Sequence, residues 1–384
     1  MELQQKLDLL SAGAALDVDE AAQVTLCATA GKPMPQGRAP VELGRSISML
    51  TRSDGKKVPI LKVLQTSACA KDCYYCPFRA GRDFRRAAFT PEELARATDQ
   101  LYRAGRIQGL FLSSGIVGKG EYSQERIVAT AEILRRQYEF RGYLHLKLMP
   151  NASEAAVERS MQLADRVSVN LEAPTPAALE RLSGTKDLDS LLNPLRLAAR
   201  LAPGIGRRVS RVTQFVVGPG GETDRDLLRR TDELYHKAGL WRAYYSAFSP
   251  VPNTPLDGLA PTDPRREAHL YQADFLMRLY GFGVEELPFD ALGRLPDDRD
   301  PKRAWADMRP ELFPLEVNLA PRELLLRVPG IGPTSVGRVV AARRVRRLRS
   351  VEDLAKLGVT VARAAPYILL DGKIAPRQLV LLPG

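Results

Sequence analysis

The sequence predicts an α/β fold: a parallel sheet curled into a barrel or an open part of one, followed by a small all-α unit. Three observations predict it. Between residues 61 and 280, six apolar strand-like runs alternate with helical patterns. Such alternation makes a parallel sheet, and a right-handed series of that length curls. Cys69, Cys73 and Cys76 sit directly after the first run, at the C-terminal end of a strand, where active groups of such folds belong. A Pro-Gly-Ile-Gly turn between two helical patterns then opens a basic final stretch.

The 384 residues suffice for two domains or one large domain with an appendage, and 45% hydrophobic with 26% charged composition is that of a soluble globular protein. No run of 18 apolar residues occurs, so no membrane span is expected. The first 20 residues lack the basic-then-apolar order of a signal peptide. Three of four cysteines in one loop argue for a reducing compartment, and the expected location is cytoplasmic. The net charge of +11 is uneven: residues 319–384 hold twelve Lys and Arg against four Asp and Glu, or +8. A basic end on a near-neutral body suits a polyanion.

Residues 1–58 read as an N-terminal extension. Leu3, Leu7 and Leu10 mark one side of a short helix, residues 25–45 are rich in Gly and Pro, and Cys27 reads as a small buried apolar residue. Two apolar stretches around Asp54-Gly55 predict a hairpin over 47–64. The barrel is expected over 59–284, with strands at 61–65, 109–115, 143–149, 166–172, 211–218 and 241–248. Thr90-Pro91-Glu92-Glu93 is a helix start with a capping box. Arg79, Arg82, Arg85 and Arg86, interleaved with Phe78 and Phe84, suit either stacked bases and phosphates or packing of the cysteine loop. Residues 285–317 read as linker, and 318–384 as the C-terminal unit.

Three thiolates within eight residues cannot form a disulfide framework in a chain with four cysteines. Such spacing suits zinc or an iron–sulfur cluster. A structural zinc site wants a fourth, regularly spaced ligand, whereas His145, His236 and His269 are scattered singly. The C-x3-C-x-aromatic-C pattern of Cys69, Cys73, Tyr75 and Cys76 resembles the radical SAM superfamily. That resemblance implies a six-unit partial (β/α)6 TIM-type barrel and a 4Fe–4S cluster held by the three cysteines. Its open iron takes the amino and carboxylate groups of S-adenosylmethionine. Reductive cleavage yields a 5′-deoxyadenosyl radical that abstracts hydrogen. The resemblance further implies cofactor-binding roles for Tyr75 near the adenine and for Ser113, Ser114 and Gly115, which stand where the family has a Gly-Gly-Glu-like motif. It extends such roles to Glu172, Gln214 and the Gly218 turn. Lys147 reads as a carboxylate binder or a partner for a neighbouring acid.

Val328-Pro329-Gly330-Ile331-Gly332, flanked by helical patterns, resembles the helix-hairpin-helix DNA-binding motif, and Leu357-Gly358-Val359 resembles a degenerate second copy. In such a motif two glycines let backbone N–H groups approach a phosphate at a helix N-terminus. Gly330, Ile331, Gly332, Thr334, Arg343, Arg344, Arg346 and Arg347 are the candidate nucleic-acid contacts.

Together the two resemblances suggest the radical SAM proteins assigned to DNA modification or repair. The expected partners are nucleic acid, DNA first, an electron donor such as a flavodoxin or ferredoxin, and a DNA-repair protein. Two other readings stand beside this one: a radical SAM enzyme acting on tRNA or protein, and a non-catalytic iron–sulfur nucleic-acid-binding module serving a partner enzyme.

Overall fold

Alternating apolar runs become strands of one sheet. The computed structural model describes residues 3–14, 47–51 and 57–374, so Cys27, the 25–45 stretch and the Asp54-Gly55 turn lie outside the described residues. Strand β1 (Ile47–Thr51) pairs antiparallel with β2 (Lys57–Leu64), Thr51 opposite Lys57, as the predicted hairpin requires. Strands β3 (Gly109–Ser113), β4 (Tyr143–Lys147), β5 (Arg166–Glu172), β6 (Ser210–Val217) and β7 (Arg242–Ala247) then add in parallel, in chain order. This seven-stranded sheet is the curled half-barrel that the strand–helix alternation predicts.

The helices between them also start where expected. Helix α2 (Pro91–Arg103) opens with the predicted capping box: Glu93 N donates to Thr90 Oγ1 at 3.1 Å and Thr90 N to Glu93 Oε2 at 2.9 Å. Helix α1 (Leu3–Ala14) is pinned there by Lys6, whose Nζ lies 2.8 Å from Glu93. Helices α3 (Glu121–Arg136) and α4 (Glu154–Leu163) follow β3 and β4. After β5 a short α5 (Pro176–Glu180), which the apolar periodicity does not reveal, precedes α6 (Leu188–Leu201).

Contacts divide the chain into Met1–Glu222 with Arg229–Glu267, and Thr223–Leu228 with Ala268–Gly384. In the second unit, the segment expected to be linker carries α7 (Pro301–Asp307) and a buried Trp305, which meets Phe282 and Phe313 edge-on. Helices α8 (Arg322–Leu325), α9 (Pro333–Val345), α10 (Val351–Lys356) and α11 (Val361–Ala364) follow. The unit is not all-helical: β8 (Leu315–Glu316), β9 (Ile368–Leu370) and β10 (Lys373–Ile374) form a small sheet. Asp371 (φ +53°) and Gly372 (φ +73°) link β9 to β10 with the paired positive φ of a tight hairpin turn.

Candidate active site

The cysteine loop is bolted at both ends. Where β2 ends, the buried Gln65 side chain donates to Phe89 O at 2.9 Å, and Thr66 Oγ1 to Ala87 O at 3.0 Å. On the far side Arg86 donates to four carbonyls, those of Ser67, Phe78, Arg79 and Arg82, and stacks on Phe84 4.3 Å from the ring centroid. Arg82 donates to Pro77 O and Pro252 O, and Arg79 to Asp72 O. Of the two readings of this segment, packing is the one this geometry serves. Backbone N–H groups aim at two of the sulfurs: Lys71 N and Ile116 N at Cys69 Sγ, both 3.5 Å, and Phe78 N at Cys76 Sγ, 3.4 Å.

All three cysteines line a cavity of about 360 Å³. Every parallel strand contributes to its wall from near its C-terminal end: Leu64, Ser113, Lys147, Asn170 with Glu172, Gln214 and Ser246 among them. Lys147 Nζ donates to Asn170 Oδ1 at 2.6 Å, an amide rather than the neighbouring acid that the sequence reading offers it. Ser114 and Gly115 line the cavity too. Ser114 Oγ donates to Gly115 O at 2.7 Å, and a Cβ on Gly115 would stand 2.2 Å from Ala68 O. Only glycine lets the end of β3 approach the cysteine loop so closely. Gly218 is not among the residues that line the cavity; it takes φ +117°, and a Cβ there would strike Thr262 Oγ1 at 2.0 Å. It turns the backbone where a side chain would clash.

The cavity lining includes an ion pair, one member of which the sequence does not single out. Pairing of β5 with β6 slips between Asn170 and Glu172, and Glu172 adopts φ +65°. A bulge of this kind re-aims a side chain. Glu172 Oε1 accepts from Lys186 Nζ at 2.9 Å, with both side chains buried. Cys73 and Tyr75 line the cavity together with this pair. Burial works against the Lys186 ammonium, but Cys73 and Glu172 outweigh it and hold its pKa above the ordinary lysine value. Burial pushes the Cys73 thiol up, and the Cys76 thiol up to about 12.

Buried thiols of that kind become ligands when a metal displaces their protons. Among the described residues no three His, Cys, Asp or Glu converge as one metal ion needs. A cluster places each thiolate on a different iron, and N–H donors aimed at the sulfurs are the outer contacts it needs. The donor set therefore fits a three-cysteine cluster.

The C-terminal candidates lie elsewhere, in the second unit. Gly330 (φ +86°) and Gly358 (φ +84°) turn two successive hairpins, which meet through Thr360 N donating to Gly330 O at 2.9 Å. Ile331 is buried; its N–H donates to Val328 O, and Gly332 N donates to Ser335 Oγ. These two N–H groups already have partners. Arg343 turns inward, donating to Val317 O and Ala320 O. Arg346 pairs with Asp353, and Arg347 with Asp371, while Thr334, Arg338 and Arg344 are exposed.

Residues 63–234 match the family model described as Radical SAM superfamily. That match, over 172 of the 384 residues, is to a superfamily whose enzymes work with a 4Fe–4S cluster and S-adenosylmethionine. Solved structures similar to the chain include methylornithine synthase (PylB), 14% identical over 56% of this chain and 60% of that one, TM-score 0.44. The FeFe-hydrogenase maturase HydG from Carboxydothermus hydrogenoformans is 16% identical over 56% and 50%, TM-score 0.43. TsrM from Kitasatospora setae, a radical S-adenosylmethionine methyltransferase with cobalamin and a 4Fe–4S cluster bound, is 14% identical over 54% and 48%, TM-score 0.40. The chain thus spans 60% of the first of these structures and about half of the others. Among curated proteins none matches.

Proposed function

We propose that the chain is a radical SAM enzyme acting on a nucleic acid, DNA first, in modification or repair within a reducing compartment. The observation that carries the enzymatic reading is the opening of three cysteines onto one cavity walled by every parallel strand. Cys69, Cys73 and Cys76 would hold the cluster, which with S-adenosylmethionine supplies a 5′-deoxyadenosyl radical for hydrogen abstraction. Tyr75, Ser113, Ser114, Gly115, Glu172 and Gln214 would frame the cofactor. Lys147 and Asn170 add polar groups to the wall. An electron would come from a flavodoxin- or ferredoxin-like donor.

Support for nucleic acid comes from the C-terminal unit: two glycine-turned hairpins, exposed Arg338 and Arg344 on the helix after the first, and a local charge of +8. Such groups grip phosphates and fix register without reading sequence. Reaching the cavity would require an extruded nucleotide, at a cost of a few kcal/mol and least for a damaged or unpaired base.

The test is 5′-deoxyadenosine formation by anaerobically reconstituted protein, with S-adenosylmethionine and a reductant, with and without duplex or single-stranded DNA. Stimulation by DNA is the expected result. Cleavage indifferent to DNA would move the substrate to tRNA or protein, and no cleavage by a fully loaded protein would end the enzymatic reading.

A further inference from the structure

We propose that Lys186 is a positioning residue of the iron–sulfur site, strapped to the cysteine loop so that its ammonium faces the same cavity as Cys73 and raises the reduction potential of the cluster. The inference rests on the cluster reading of the three cysteines and goes beyond it in assigning the group that tunes that cluster.

The strap is the reason to assign Lys186 more than packing. Asp72, between two of the cysteines, accepts from Ser183 Oγ and Thr185 Oγ1, each at 2.6 Å, and from Gly184 N and Thr185 N at 3.2 and 3.3 Å. Tyr74 N donates to Leu182 O at 2.8 Å, and Lys71 Nζ to Thr185 O at 2.8 Å. A Cβ on Gly184 would meet Tyr74 Oη at 2.9 Å, so the two segments lie too close for a side chain there. With Asp72 N donating to Thr185 Oγ1 at 3.3 Å, seven hydrogen bonds fix residues 182–185 against 71–74, and the next residue is Lys186. Its buried ammonium pairs with Glu172, and Lys186 lines the cavity together with Cys73.

Reduction adds negative charge to a cluster, so hydrogen bonds to its sulfurs and a nearby cation favour the reduced state. Glu172 does the opposite electrostatically: it holds Lys186 in place and offsets its charge. The two residues therefore pull the potential in opposite directions, a pattern that packing alone does not produce.

The experiment is anaerobic redox titration with dithionite as one-electron donor, following the spectrum of the cluster in reconstituted full-length protein, with iron and sulfide counted for each variant. At the wild-type midpoint, Lys186→Gln is expected to lower the reduced-to-oxidised ratio about tenfold, which is about 59 mV for one electron. Lys186→Arg is expected to stay near wild type, and Glu172→Gln to shift upward. Ser183→Ala with Thr185→Val loosens the strap without changing a charge and is expected to shift downward by less. Fully loaded Lys186→Gln with the wild-type midpoint overturns the proposal. Should Lys186→Gln fail to load, Glu172→Gln decides: an unchanged or lowered midpoint overturns it. A wild-type protein that takes up no iron and sulfide sinks the cluster reading itself, an outcome distinct from a loaded but insensitive cluster.

Discussion

Lys186 Nζ lies 2.9 Å from Glu172 Oε1, and both side chains are nearly sealed from water. A buried ion pair contributes little net stability, but removing one partner strands the other at a cost of about 3–5 kcal/mol. Glu172→Ala should destabilise the cluster-free protein by about that much, seen as a lower Tm. Glu172 also sits at φ +65°, a strained setting worth about 1–3 kcal/mol for a residue other than glycine. Glu172→Gly, which loses the same carboxylate but relaxes the backbone, should therefore melt above Glu172→Ala. Equal melting points would show that no strain is held there.

Arg86 closes the cysteine loop through four carbonyls. A lysine cannot reproduce that planar fork. Arg86→Lys should cost about 3 kcal/mol in urea unfolding, as two charge-assisted hydrogen bonds at about 1.5 kcal/mol each are lost. Exposed Arg85→Ala should change little. Similar behaviour of the two variants would refute the packing role of Arg86.

For DNA binding, Arg343 and Arg344 should part company. Arg343 holds Val317 O and Ala320 O, so Arg343→Glu should reduce stability. Exposed Arg338 and Arg344 should instead set the salt dependence: Arg338→Glu with Arg344→Glu is expected to weaken DNA affinity and flatten the salt slope by about one unit per residue. Unchanged affinity and slope would remove this face from the nucleic-acid reading.

Lys302 is buried under the first C-terminal hairpin, its Nζ donating to Ile331 O at 2.6 Å and lying 4.5 Å from the Tyr280 ring centroid. Burial pushes its pKa down to about 7, with Arg363 and Arg327 adding repulsion and Asp300 opposing them. The unfolded chain then binds this proton more tightly than the folded one. Its contribution to stability must rise with pH from about 7 towards the ordinary lysine value near 10. The stability of wild type relative to Lys302→Met should accordingly improve between pH 7 and 9. A flat difference would mean that the ammonium stays charged in place.

Much of this architecture is legible in the sequence because buried parallel strands carry unbroken apolar runs, such as Gly109–Ser113, and because capped starts such as Thr90 mark the helices. The cysteine triplet is legible for the same local reason. Lys186 is not: its partner Glu172 lies 14 residues away, and the strap joins Asp72 to Ser183, 111 residues on. No periodicity records such contacts. Arg82 and Arg86 illustrate a second limit, since arginines beside phenylalanines look alike whether they await a base or bind carbonyls. The β9–β10 hairpin escaped notice because its strands are only three and two residues long, although Asp371-Gly372 is its turn signal.

The central claim is that Cys69, Cys73 and Cys76 hold a cluster open to S-adenosylmethionine in the cavity between the strand ends. Its most direct test is electron paramagnetic resonance of anaerobically reconstituted, dithionite-reduced protein, with and without S-adenosylmethionine, beside Cys73→Ala. The account predicts about four irons per wild-type chain, a reduced-cluster signal that changes shape when S-adenosylmethionine is added, and no such signal from Cys73→Ala. A reconstituted protein that holds zinc in place of iron, or a cluster signal indifferent to S-adenosylmethionine, would contradict it.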